Sequence, residues 1–190
     1  MKFRSDIDID FGDRTQILEL IKSTPASIQR DGKLIPHNTG VYVTPIPVDP
    51  LVGITSIDHE SAEARGYIKL DLLNVTLYQQ IRDEAHLVQL MSAEPDWDRF
   101  NQDQEFFEQL IHVNNHWKLL KNMPEPVDSI PRLAMFLGVI RPAKRHLIGK
   151  SWAEVAAEIW QQPAEGIYYF KRSHSVAYSH LVVVNMNLLA

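Results

Sequence analysis

The spacing of apolar residues shifts along this chain from strand-like alternation to helical periodicity. Near the N-terminus, Ser5-Asp6-Ile7-Asp8-Ile9-Asp10-Phe11 alternates strictly. As a β-strand it sets Asp6, Asp8 and Asp10 on one face and Ile7, Ile9 and Phe11 on the other, which is expected to pack on a core. A helix is predicted from Arg14 to Thr24: Asp13 suits its N-cap, Gln16 stands at capping-box spacing, and Ile17, Leu20 and Ile21 form a stripe that stops before Pro25. Residues 25–36 read as irregular or loosely helical, with a turn at Asp31-Gly32. His37 to Thr44 reads as a loop entering the short strand Val41-Tyr42-Val43, which Pro45, Pro47 and Pro50 stop. A short polar helix or turn is expected over 54–65. Gly66 to Leu73 then alternates again, with Tyr67, Lys69 and Asp71 sharing one face.

From Val75 the period becomes helical. Leu77, Ile81, Leu87, Leu90 and Met91 predict one long helix ending before Pro95, and residues 96–121 read as helical with an aromatic core stripe. Pro124-Glu125-Pro126 is the clearest internal boundary. A helix follows from Asp128 to Ile140, and another from Ser151 to Gln161, where Ser151 and Glu154 have capping-box spacing. The last segment begins at Tyr168-Tyr169. Its Val182-Val183-Val184 run alone favours a strand, but Ser173 as N-cap before a long apolar stretch favours a helix.

Composition narrows the options. The 190 residues are 45% hydrophobic and 23% charged, enough for one good core or one domain with an appendage. No cysteine is present, which removes disulfides and thiolate metal sites. The N-terminal residues lack a signal-peptide pattern and no run reaches transmembrane length, so a cytoplasmic protein without a membrane partner is expected. A net charge of −5 argues against a long basic DNA groove and leaves local patches and metal as the means of handling nucleic acid.

The candidate chemistry lies on the acidic faces. Three neighbouring carboxylates need a positive partner, either Mg²⁺ or Mn²⁺ or the solvent of an aggregation-resistant edge strand. Asp71 with Lys69 is either a second source of carboxylate or an exposed ion pair. His37 is either a backbone-bonded loop histidine or a residue steering a nearby carboxylate or phosphate. Arg141, Lys144, Arg145 and His146 form the densest basic cluster, and Lys171, Arg172, Ser173 and His174 would gather at a helix N-terminus suited to phosphate, or else form a solvated charge run.

These pieces, taken in order, resemble the palm region of family C bacterial replicative DNA polymerases, the polymerase III alpha subunit. The similarity is carried by Asp6-Ile7-Asp8-Ile9-Asp10-Phe11, by His37-Asn38-Thr39-Gly40-Val41-Tyr42-Val43, by Gly66 through Leu73, by Arg141-Pro142, and by Arg172-Ser173-His174 with Tyr178 beyond. The resemblance implies an α+β fold: a polymerase-beta-like nucleotidyltransferase palm, a mixed sheet with packed helices, plus a C-terminal helical portion. It implies a palm-like core over 1–95 and a fingers-like remnant with a closing palm segment over 96–190, or one domain over 1–190. Asp6, Asp8 and Asp71 would be catalytic carboxylates holding Mg²⁺ or Mn²⁺. Lys69, Arg141, Lys171, Arg172, Ser173 and His174 would bind a nucleoside triphosphate. The implied reaction is attack of a primer 3′ hydroxyl on an α-phosphate with two-metal assistance.

The chain also departs from that pattern. Ser5 replaces a proline, Ala143 a glycine and Arg172 a lysine, and the five residues before Asp6 hold no glycine-serine element. The expectation is therefore a stripped-down palm, possible in a phage, acting on primer-template DNA with a protein partner that supplies missing elements. Two alternatives stand beside it: a non-catalytic palm-derived scaffold of a replication assembly or virus particle, and a metal-dependent nuclease.

Overall fold

The computed structural model describes residues 7–162 and 170–190, and the chain divides into two units, Met1–Ile81 and Arg82–Ala190. Asp6 and the Tyr168-Tyr169 start of the last predicted segment lie outside the described residues. The fold is α+β, with one four-stranded mixed sheet and packed helices. The division falls upstream of the expected 95/96 boundary. There the predicted long helix from Val75 is interrupted: a 3₁₀ turn, Thr76–Gln80, gives way to a separate helix capped by Asp83, whose carboxylate accepts the His86 N–H at 2.8 Å.

The first unit holds β1 (Ile7–Phe11), α1 (Arg14–Leu20), β2 (Thr24–Arg30), β3 (Lys33–Tyr42), α2 (His59–Ala64) and β4 (Leu70–Asn74). The sheet order is β1-β4-β3-β2, with β1 parallel to β4 and the other pairs antiparallel. The segment expected to be irregular over 25–36 is a hairpin instead. Asp31 and Gly32, both with positive φ (50° and 75°), make the tight turn that matches strand twist, and Asp-Gly is a strong signal for it. α1 stops at Leu20, short of the expected Thr24, because Thr24 and Pro25 already pair with β3.

The β1 apolar face is less covered than expected, with Ile7 and Ile9 remaining 40% and 38% exposed. Polar bonds fix the start of α1, which follows β1, onto β4 and β3. The Arg14 N–H donates to Asn74 Oδ1 at 2.7 Å, and Arg14 Nη1 donates to the carbonyls of Asn38 (2.6 Å) and Leu72 (3.2 Å). The small core is Ala26, Tyr42, Ile46 and Ala62, with Ile57 and Tyr67 packed on it.

The second unit is helical: α3 (Glu84–Ser92), α4 (Trp97–Gln102), α5 (Gln104–Phe107), α6 (Trp117–Lys121), α7 (Ile130–Val139), a 3₁₀ turn (Pro142–Leu147), α8 (Trp152–Glu158) and α9 (Arg172–Leu188). The 96–121 stretch is broken into short helices by turns in which His112 and Asn115 have positive φ. α7 and α9 supply the core with Leu133, Phe136, Leu137, Val182, Val183 and Met186. Leu181 through Met186 are buried without a gap, Asn185 among them accepting the Ile111 N–H, so α9 is buried all round there and the β-branched run sits in a helix. The Pro124-Glu125-Pro126 turn is internal to this unit: Arg132 pairs with Glu125 at 3.0 Å, and Trp152 Nε1 donates to the Pro126 carbonyl at 3.1 Å. Ser151 and Glu154 form the expected capping box.

Candidate functional site

Asp8 and Asp71 meet through strand register. Asp8 is the partner of Asp71 across the parallel β1–β4 pair, and Gly40 of β3 is the partner of Asp71 on its other side. Register partners share a sheet face, with neighbouring strands about 4.8 Å apart. Asp10 follows Asp8 on that face, opposite Leu73.

Asp71 is 7% exposed and fully engaged. Thr39 Oγ1 donates to its Oδ1 at 2.7 Å, and Lys69 Nζ donates to its Oδ2. Thr39 reaches it because β3 bulges. The β2–β3 register passes from Ser27↔Pro36 to Pro25↔Val41, so Ala26 alone stands against His37-Asn38-Thr39-Gly40. His37 folds the bulge over itself: its Nδ1 accepts the Gly40 N–H at 2.9 Å and the Thr39 N–H at 3.3 Å. That nitrogen is therefore unprotonated, although it lies 3.7 Å from Asp71 Oδ1. Burial, then the Lys69 charge, holds the His37 pKa below the ordinary value, against the opposing pull of Asp71. The backbone-bonded reading of His37 is the one seen, and the bulge it ties together is the one that carries Thr39 to Asp71.

Gly40 leaves room for the lysine. A Cβ there would lie 2.7 Å from Lys69 Cδ and 3.0 Å from His37 Nδ1. His59 packs edge-on against His37 at 5.3 Å, and its Nδ1 is buried without a hydrogen-bond partner. The Tyr42 hydroxyl is likewise buried and unpartnered, and burial followed by the Asp71 charge raises its pKa. Burial, then Asp8, raises the Asp10 pKa, while burial and Asp10 do the same to Tyr78.

The donor set suits a hard cation. Among the described residues no group of three or more His, Cys, Asp or Glu side chains converges on one metal position. Mg²⁺ is commonly held by one or two carboxylates together with substrate phosphates, and Asp8 and Asp71 on adjacent strands match that habit. Lys69 Nζ occupies the Oδ2 side of Asp71.

The other predicted residues belong to the second unit. Arg141 lies at the head of the 3₁₀ turn with its guanidinium over the Phe170 ring at 4.4 Å, next to Lys171, the N-cap of α9. Arg172, Ser173 and His174 make the first turn of α9, so the cap is Lys171 and not the expected Ser173. The rest of the basic cluster has structural partners: Lys144 Nζ donates to the Glu158 carbonyl at 2.9 Å and Arg145 Nε to the Ile140 carbonyl at 3.4 Å. His146 pairs with Glu158.

Sequence reasoning missed Thr39, Gly40 and His59 as parts of the site. The one available signal was the short polar run between His37 and a β-prone triplet. No family model, curated protein or solved structure matches this chain. Among the described residues no helix is long and apolar enough to cross a membrane.

Proposed function

We propose that the first unit carries a nucleotidyltransferase site of the polymerase palm type, resembling that of the polymerase III alpha subunit. It would transfer a nucleotide to a nucleic-acid 3′ end with a partner protein supplying further contacts to primer-template DNA. The observation that supports this best is the register pairing of Asp8 with Asp71, with Lys69 beside them. In the polymerase-beta-like arrangement two carboxylates must come from separate strands onto one face, and the β1–β4 pair does that. Asp8 and Asp71 would hold Mg²⁺ or Mn²⁺, with Asp6 as the third candidate ligand. Metal there would neutralise charge developing at the attacked phosphate and acidify the attacking hydroxyl. Thr39 holds Asp71 in place, and Lys69 offers a cation to phosphate oxygens. Arg141, Lys171, Arg172, Ser173 and His174 remain candidate phosphate ligands at the α9 terminus of their own unit.

A second reading, a non-catalytic scaffold derived from a palm, is favoured by one observation: Thr39 and Lys69 hydrogen-bond both carboxylate oxygens of Asp71. Calorimetry separates the two. Mn²⁺ alone and a preformed complex of Mn²⁺ with a non-hydrolysable deoxynucleoside triphosphate are titrated into wild type and Asp8→Asn. The polymerase-type site requires tighter binding of the complex by wild type and loss of both bindings in the variant. Absence of binding in wild type supports the scaffold.

A further inference from the structure

We propose that Lys69 is an exchangeable internal counter-ion: it neutralises Asp71 in the metal-free protein and moves to a phosphate oxygen of the nucleotide when Asp71 holds a divalent cation. Metal and nucleotide would then bind cooperatively through one side chain. The inference rests on the metal-site reading above and adds to it a coupling between the two ligands.

Three observations carry it. First, Asp71 is 7% exposed, and removing the partner of a buried ionised carboxylate is strongly destabilising. Lys69 is that partner, reached from the position two residues earlier. Second, Thr39 holds Oδ1 independently at 2.7 Å, so Asp71 keeps its place when Lys69 leaves Oδ2. Third, the lysine stem lies against Gly40 and the side chain as a whole is partly exposed. The stem runs across bare backbone at Gly40, where a Cβ would come within 2.7 Å of Cδ, while the side chain keeps 19% of its surface exposed. An ammonium on such a stem swings toward solvent with little change in packing. An ammonium and a divalent cation on one carboxylate repel each other, so each disfavours the other on Asp71. A triphosphate beside the site removes the conflict by accepting the ammonium. By linkage, whatever nucleotide does for metal affinity, metal does for nucleotide affinity.

The test uses the full chain and Lys69→Met, which keeps the aliphatic stem over Gly40. Mn²⁺ alone and the preformed Mn²⁺–triphosphate complex are titrated separately by calorimetry. The expected result is a pair of opposite shifts: Mn²⁺ alone binds about fivefold tighter to the variant, and the complex binds at least about fivefold weaker. A merely structural lysine would move both affinities in one direction. Shifts of the same sign, or none, overturn the inference while leaving the metal site standing. A wild type that binds neither ligand overturns the metal site and the inference with it. If Lys69→Met unfolds without metal, Lys69→Gln is titrated in its place and judged by the same opposite-sign criterion. Thermal unfolding adds an independent readout: Mn²⁺ should raise the melting temperature of either variant more than that of wild type.

Discussion

Asp8 of β1 and Asp71 of β4 are register partners, yet β1 is the sheet edge and β4 lies between two strands. Their surroundings differ accordingly: Asp71 is buried and bonded to Thr39 and Lys69, whereas Asp8 is exposed. Asp71→Asn places an amide against an ammonium and should cost about 1–3 kcal/mol in urea unfolding. Asp8→Asn should change stability by less than about 0.5 kcal/mol while removing Mn²⁺ binding. Equal stability losses would show that the two carboxylates do not divide the work this way.

Gly40→Ala tests the close approach of Lys69. The new Cβ would meet Lys69 Cδ at 2.7 Å, and the lysine is flexible enough to step aside. The expected outcome is a modest stability loss, about 1 kcal/mol, with a larger drop in affinity for the metal–nucleotide complex. Affinity unchanged in calorimetry would mean that the Lys69 position is irrelevant to binding.

Asp10 carries a pKa raised by burial and by Asp8. A raised folded-state value means the folded protein holds that proton more tightly than the unfolded chain. The stability this contributes is present at acid pH and is lost as pH rises through the folded pKa. Asp10→Asn should therefore stabilise the protein at pH 7 and not at pH 3. Solvent screening keeps the gain below about 1 kcal/mol. Thermal unfolding of both proteins at the two pH values measures it.

His112 shows the opposite linkage in the second unit. Its ring stacks on Tyr178 at 4.3 Å with Nε2 buried and unpartnered, and burial followed by the Arg141 charge lowers its pKa to about 4. Between pH 6.5 and pH 4 the unfolded chain takes up a proton that the folded protein refuses. Stability present above that window is lost as pH falls through it, by about 2 kcal/mol. His112→Asn, which tolerates the positive φ of 64°, should flatten that part of the stability profile relative to wild type. Parallel profiles would refute the assignment.

Gly138→Ala tests packing in the same unit. A Cβ on α7 would lie 2.9 Å from Ile159 Cδ1 and Cγ1. Overpacking should cost about 1–3 kcal/mol despite alanine's better helix propensity. Ile159→Val in the same chain should recover part of the loss in urea unfolding.

Local signals were legible wherever one short stretch decides its own structure. Asp13 caps α1, with its carboxylate accepting the Thr15 N–H at 2.9 Å, and Ser151 with Glu154 closes a capping box. These are contacts within one turn, and their residue types specify them. The hairpin of β2 and β3 was legible too, in Asp31-Gly32, but Pro25 and Pro36 obscured it. Proline suggests a break, whereas here both prolines sit in paired strands. The predicted long helices failed for a related reason. Apolar period carries through Val75 to Met91, but the cap at Asp83 starts a new helix within it.

The alternation of Asp and Ile in β1 determined that its carboxylates would share one face; the alternation expected over Gly66 to Leu73 held only from Leu70, where β4 begins, so Lys69 reaches Asp71 from just before the strand. Nothing in that period says which strands lie side by side. Parallel pairing of β1 with β4 made Asp8 the neighbour of Asp71, and a four-residue bulge in β3, which no periodicity encodes, brought Thr39 and His37 to the same carboxylate. The face of a side chain follows from its own strand, but its neighbours follow from register between strands distant in sequence, and only the folded sheet decides that register.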